Sequence, residues 1–452
     1  MSARRGWPAT WSSVALLVVA RAAPALAQLP PAPPPPAEAL APAEPDEAGD
    51  DASEASLVEQ QIRQNEELVA NRRQKLTFAG YVDFGYFATE GNGSGVTQDV
   101  LHTYPGYAGY QWVFPGDLLA PAINSRGEVA DLGDLPGVSR YDAIHSGGAP
   151  GFIVNEVNLR LRATPAPNAI ITTSVNFTPR TGSNFSLGDM LDVDLAQLEW
   201  LPGEAQRTSI FVGKIESVLG IEYRQRKSDQ RFGITPSLIA RYTTGPALGL
   251  KVRSKLGADD WLVVAAAVTN GSNTTEQFFF YDETDRNASP TASGRLSVRL
   301  PLPFWLELGG SGSYGPQDRS TNVAHPMWFV GPDLILRAGR IDVLAQWLKG
   351  HSAGDPTQDV YALALHGGGY LEVHAVVTPS VGLLGRLEYR SADITLPPQR
   401  AYPSRTWRGT LGVRFVMDTW AVLKAEYLHN GEYGDVPSVS DDVFTTSLVL
   451  SY

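Results

Sequence analysis

The chain ends on DVFTTSLVLSY, Asp442 to Tyr452. Phe444, Thr446, Leu448, Leu450 and Tyr452 share one parity, and Val443, Thr445, Ser447, Val449 and Ser451 share the other. Successive side chains of a strand point to opposite faces, so this is a strand with one greasy face and one mostly small or hydroxylated face. It suits the closing strand of a transmembrane barrel and, equally, an edge strand of a soluble sandwich. The number of further strands, and how they are joined, decides between the two.

Sixteen segments of strand character are found, near 76–88, 152–164, 169–178, 191–201, 207–216, 238–254, 261–270, 293–301, 304–314, 329–339, 341–349, 368–378, 382–391, 405–416, 420–428 and 442–452. Most have the length a tilted strand needs to cross a bilayer, about 9–11 residues. The connections alternate. Those after even strands are short and rich in Pro, Gly, Asn and Asp, such as TPAPN at 164–168 and KLGADD at 255–260. Those after odd strands are long, including 89–151, 179–190, 217–237 and 271–292. A sandwich has no reason to alternate this way. A membrane barrel does, because one rim carries tight periplasmic turns and the other external loops. The expected fold is therefore all-β: a sixteen-stranded antiparallel transmembrane β-barrel over 76–452, preceded by a short periplasmic helix.

Composition agrees. Among 452 residues there is no cysteine, which excludes disulfides, thiolate metal sites and a cysteine nucleophile. Past the N-terminus no apolar run approaches the roughly 18–20 residues of a membrane helix; the longest, WLVVAAAV at 261–268, has strand length. Arg4 and Arg5, the apolar run Val14 to Ala20 and the small-x-small site Ala25-Leu26-Ala27 read as a cleaved signal peptide over 1–27. Its removal takes Arg4, Arg5 and Arg21 and moves the net charge from −12 to −15. Residues 28–53 are a Pro, Ala and acid linker that cannot bury a core. At 54–75, Val58, Ile62, Asn65 and Val69 fall at spacings of 4, 3 and 4, which fits a short coiled coil, an amphipathic helix or a frayed linker. Residues 28–70 hold ten acids and one base, so much of the acidity belongs to the linker. Nothing is basic enough to point to nucleic acid.

The strands have a charged parity as well as an apolar one. In strand two, Val157, Leu159 and Leu161 alternate with Glu156, Asn158, Arg160 and Arg162; in strand fourteen, Leu411 and Val413 alternate with Arg408 and Arg414. An arginine on the lipid face near mid-membrane costs about 2–4 kcal/mol. The charged parity must therefore face a wet interior, and sixteen strands leave an aqueous channel. The expected lining bases are Arg160, Arg162, Lys214, Lys251, Arg253, Arg295, Arg299, Arg337, Arg386, Arg390, Arg408, Arg414 and Lys424, with the acids Glu156, Glu199, Glu216, Asp333, Glu388 and Glu426. Thirteen bases against six acids suggest a weak anion preference, unless cross-strand pairing cancels it. Tyr81, Tyr86, Trp200, Trp261, Trp305, Trp347, Trp407, Trp420, Tyr427 and Tyr452 lie near strand ends and are expected as interfacial girdles or packing. The long 89–151 connection either folds inward as an acidic constriction or forms an external lid.

One stretch resembles a known group. IFVGKIESVLGIEY (210–223), RFGITPSLIARYTTGPALGLKV (231–252) and VTNGSN (268–273) are similar to the bacterial outer-membrane porin families, the β-barrel porin-2 and phosphate-selective porin groups. The resemblance implies a sixteen-stranded barrel, usually a homotrimer, passing small hydrophilic solutes or ions. It also implies that Val212, Gly213 and Lys214 lead into a loop that turns at Gly220 and Glu222, with Gly249 on the following strand. The expected partners are outer-membrane lipid and, through the strand ending at Tyr452, the barrel-assembly machinery.

An enzyme is the rival class. The seven histidines show no helical metal spacing, and there is no G-x-S-x-G, H-E-x-x-H or phosphate-loop motif. Asp189, Asp192 and Asp194 fit a calcium edge or, more simply, scattered loop acids. No catalytic residue, metal or cofactor is expected. A lipase- or protease-type barrel, or a closed structural or adhesin barrel, is the alternative to a passive porin.

Overall fold

A computed structural model describes residues 76–89, 151–177, 191–203, 205–216, 218–244, 246–270, 286–316, 320–355, 357–358, 362–396, 400–434 and 442–452. The expected signal peptide, linker and helix, and residues 90–150 of the long connection, lie outside them.

Sixteen strands form one sheet. The first eight are β1 (Leu76–Thr89), β2 (Gly151–Ala166), β3 (Ala169–Phe177), β4 (Leu191–Trp200), β5 (Thr208–Glu216), β6 (Pro246–Leu256), β7 (Leu262–Thr269) and β8 (Thr291–Leu300). The rest are β9 (Trp305–Pro316), β10 (Pro326–Ala338), β11 (Ile341–Ser352), β12 (Ala362–Thr378), β13 (Val381–Leu396), β14 (Arg400–Asp418), β15 (Ala421–Glu432) and β16 (Val443–Ser451). Each pairs antiparallel with its sequence neighbours, and β1 pairs with β16 from Tyr81↔Ser451 to Thr89↔Val443, so the sheet is a closed barrel. At the seam the backbones of Gly80 and Tyr452 exchange hydrogen bonds of 3.2 and 3.0 Å. Gly80 is required there: a Cβ would sit 2.4 Å from both the Asn158 carbonyl oxygen and the Tyr452 hydroxyl.

The parity expected of the closing strand holds. Val443, Thr445, Ser447 and Val449 face inward and are buried, whereas Phe444 on the other face is exposed. In β2, Glu156 and Asn158 are buried inside and Leu159 stands outside. The outer surface is an apolar belt that includes Phe78, Leu387 and Leu411, the surface a barrel presents to hydrocarbon. Trp200, Trp261, Trp420 and Tyr452 are exposed on it near strand ends, whereas Trp407 is exposed near the middle of β14. Two expected girdle residues instead turn inward. Tyr81 is buried with its hydroxyl donating to Glu156 at 2.6 Å, and Trp305 lies between two lumen arginines.

The wall is uneven. β3 to β8 have 8 to 11 residues, while β12, β13 and β14 have 17, 16 and 19, longer than their sequence patterns suggested. The expected strand over 238–254 begins only at Pro246. The residues before it, with a helical turn at Ala240–Thr243, belong to a connection that folds inside the barrel.

Candidate channel lumen and its in-folded loop

The β5–β6 connection, expected outside, is held in the lumen by strand side chains spaced two residues apart on the inward parity. On β15, Lys424 Nζ donates to the carbonyls of Ser228 (2.7 Å), Arg231 (2.5 Å) and Gly233 (3.0 Å). Glu426 accepts from the backbone N–H of Ile234 (2.6 Å) and Thr235 (3.1 Å) and from the Thr235 hydroxyl (2.7 Å). On β13, Glu388 accepts from Leu238 N at 2.7 Å, and Arg386 donates to the Thr235 carbonyl at 2.8 Å. Arg408 of β14 donates to the Pro236 carbonyl at 2.6 Å. A backbone buried away from water must satisfy its donors and acceptors, and here the wall does so.

Elsewhere the loop reaches other strands. Gly220 N donates to Ser311 on β9 (2.8 Å) and Ile221 N to Gln346 on β11 (3.0 Å). Gly220 has φ +73, and a Cβ there would sit 2.1 Å from the Gln346 side chain. Arg224 lies 3.7 Å from Glu307 of β9, while Arg226, two residues on, binds Asp194 of β4 at 2.7 Å. Lys227 binds Asp194 (2.8 Å), Glu156 (3.2 Å) and Asn176 (2.7 Å), and Ser228 donates to Asp83 (2.7 Å). Phe232 stacks on His374 at 4.2 Å, and Tyr242 packs on Phe329 at 5.2 Å. Phe232, Ile234, Leu238, Ile239 and Tyr242 are buried between loop and wall. This explains why 238–245 imitates a strand in sequence: its apolar side chains face a filled lumen instead of lipid.

Burial pushes the Glu222 carboxyl up despite the hydrogen bonds it accepts from Ser237. It also pushes the Tyr223 hydroxyl up, but Arg224, Lys251 and Arg295 outweigh it and leave that phenol below its ordinary value.

The inward charges fall into two groups. At the level of the loop they rest on carboxylates or loop carbonyls. Arg295 binds Asp333 and Glu307 (2.9 Å), Arg386 binds Glu388 (2.8 Å) and Glu372 (3.0 Å), and Arg408 binds Glu388 (2.8 Å). Arg390 donates to the Tyr242 hydroxyl (2.7 Å). These residues, with Lys424, Glu426 and Lys214, are buried, and Arg160 lies 3.6 Å from Asp229 of the loop. Lys251 donates to the Glu216 carbonyl at 3.1 Å over the Phe211 ring. Below the loop, toward the short turns, lie Arg162, Arg253, Arg299, Arg337 and Arg414, all exposed or half-buried. Asp194, considered for calcium, is committed to Arg226 and Lys227; Asp189 and the Asp192 side chain lie outside what is described. Among the described residues no group of three His, Cys, Asp or Glu could hold a metal ion.

Sequence reasoning missed the loop's own side chains, Tyr223, Arg224, Arg226 and Lys227. A signal was present: residues 217–245 carry five bases and two acids in an acidic chain, followed by an apolar run that no solvated loop needs.

No protein-family model matches the sequence, and no curated protein matches it. The fold has clear counterparts among solved structures. The outer membrane channel DcaP of Acinetobacter baumannii matches with a TM-score of 0.53 at 11% identity, over 83% of this chain and 97% of that one. OmpF of Salmonella typhi, in complex with daunomycin, matches with a TM-score of 0.52 at 7% identity, over 83% and 97%. The architecture is that of the bacterial outer-membrane porins: a closed sixteen-stranded antiparallel barrel, apolar outside and charged inside. At these identities the likeness is one of fold.

Proposed function

We propose that this protein is exported by a cleaved signal peptide and works as a passive outer-membrane channel for small hydrophilic solutes, with a weak anion preference. The observation that carries the reading is the division of the wall. Leucine and aromatic side chains cover the outside, and arginines that lipid would not tolerate face inward around exposed positions such as Arg253. A homotrimer is supported by the low wall of β3 to β8, which a neighbouring copy could cover while the taller strands face lipid. Reconstitution into liposomes with sugars of graded size tests the channel. Swelling that declines with sugar size is expected, and none at any size would refute it.

A closed structural barrel is the second reading, and the loop bound to β1, β2, β4, β9, β11, β13, β14 and β15 is what favours it. The same swelling assay separates the two. We read the chain as non-enzymatic because its inward carboxylates are engaged with arginine, lysine or loop backbone donors.

A further inference from the structure

The apolar belt is interrupted by a dent in the outer wall across β7 to β11, about 670 Å³ in volume. Gly294, Gly310 and Gly312 form its floor, and Leu296, Val330 and Trp347 stand around it. A Cβ at Gly310 would meet nothing within 4 Å, and one at Gly294 only the Ala265 carbonyl oxygen, at 3.4 Å. The packing of this chain therefore does not demand glycine at either place. Glycine weakens a strand interior, and its use there marks a close approach by something else. At the edge of the dent Pro332 has no N–H to give, and the β10–β11 ladder skips Gly331 and Pro332.

The register gives the dent its depth. Leu296, Gly310 and Pro332 lie in one row across β8, β9 and β10. One step toward the long loops, Gly294, Gly312, Val330 and Lys349 form the next row, and above it come Tyr314, Trp328 and His351. Tyr314, Lys349 and His351 are exposed on the outer face. Aromatic rows on the outside of a barrel mark the membrane interface, so the dent opens into the loop-side leaflet just beneath that interface. The apolar stem of Lys349 runs along the wall and carries its ammonium up to head-group level. Asp393, further along the same edge on β13, is held by His366 (2.6 Å) and Arg405 (2.8 Å).

We propose that this dent is a binding site for a phosphate-bearing lipid of the loop-side leaflet, one acyl chain lying over Gly310 and the phosphate meeting Lys349, with His351 beside it. The site rests on the outer-membrane placement proposed above and is independent of whether the channel is open. The shape suits a chain, since the lining is apolar and the recess opens sideways into hydrocarbon. The charge decides the occupant. A second copy of this barrel pressed over the dent would cover the Lys349 ammonium with an apolar belt, and a charge covered in that way is costly unless it is paired. A lipid phosphate supplies the counter-charge at the level where the amine lies.

The test is native mass spectrometry of the full-length protein, stripped of lipid in mild detergent and titrated with dipalmitoyl phosphatidic acid or with dipalmitoyl phosphatidylcholine. Wild type is expected to hold one phosphatidic acid per chain about tenfold more tightly than phosphatidylcholine, the gain of a charge-assisted contact. Lys349→Gln should bring phosphatidic acid down to the phosphatidylcholine level. Gly310→Leu fills the dent and should weaken both lipids, whereas Gly409→Leu, on the outer face of β14, should leave both unchanged. Excess inorganic phosphate should not displace the lipid. Equal retention by wild type, Lys349→Gln and Gly310→Leu would overturn the site and leave the channel reading, which liposome swelling measures, intact. Displacement by inorganic phosphate would overturn it in favour of a free anion. A change of oligomeric mass in Gly310→Leu with lipid retention unchanged would assign the dent to a second copy and overturn it too. A mature chain that stays soluble without detergent would overturn both readings. Should Gly310→Leu fail to assemble, the Lys349→Gln comparison decides, because that side chain is exposed.

Discussion

The Glu426 carboxylate on β15 accepts the backbone N–H of Ile234, 192 residues earlier in the chain, at 2.6 Å. With the Thr235 backbone and hydroxyl on its other oxygen, this one side chain fixes the centre of the in-folded loop. Glu426→Gln keeps the shape and removes the charge that strengthens those bonds. It should cost about 1–3 kcal/mol and loosen the loop rather than the barrel. Thermal unfolding in detergent should begin earlier, and trypsin should cut after Lys227 and Arg231 faster than in wild type. Equal cleavage rates would show that Glu426 is not the anchor.

Closure of the barrel depends on the space above Gly80. Gly80→Ala places a methyl 2.4 Å from both the Asn158 carbonyl and the Tyr452 ring hydroxyl. Refolding yield into detergent micelles should fall. Adding Tyr452→Ala should restore only part of it, since the Asn158 backbone cannot yield. Full recovery in the double variant would mean that the terminal ring alone sets the fit.

On the long-loop rim, Asp355 ties two connections together. It accepts from Thr357 N (3.0 Å), Thr357 Oγ1 (2.6 Å) and Ser320 Oγ (2.8 Å). The Thr357 hydroxyl and then Ser320 hold this carboxyl below its ordinary pKa. A carboxylate lowered on folding stabilises above its unfolded pKa, about 3.9, and loses that contribution as pH falls through the lower folded value. The tie should therefore be complete at neutral pH and open only below about pH 4. Amide exchange at Thr357 across an acid titration measures it, and Asp355→Asn should remove the pH step. A step at neutral pH would contradict the assignment.

The parity of β16, the strand number and the turn-and-loop rhythm were all legible because lipid imposes them on every strand. The interior was less so. Leu238, Ile239 and Tyr242 have the apolar look of a strand, yet they fill the lumen beside Arg390 and Gly368. Two-residue periodicity cannot tell a side chain that meets lipid from one that meets a loop. Nor does a list of inward arginines reveal which are cancelled. Arg408 binds Glu388 of a neighbouring strand, while Arg299 lies over Trp305 and stands opposite Glu307, and only the cross-strand register shows which groups each arginine meets.

Leu411 lies near the middle of the 19-residue β14 and faces outward, 70% exposed. Leu411→Arg should destabilise the barrel in lipid vesicles by about 2–4 kcal/mol, read from urea unfolding. The same change measured in water-rich detergent micelles should cost less. A penalty near zero in vesicles would place Leu411 away from hydrocarbon.

The most direct test of the two-sided wall uses the absence of native cysteine. Single cysteines replace Leu411 and Arg253, each carries a spin label, and collision with oxygen and with a water-soluble nickel complex is measured in vesicles. The label at 411 should collide with oxygen and be shielded from nickel, and the label at 253 should do the reverse. Nickel reaching both labels equally would mean that the apolar belt does not lie in a membrane.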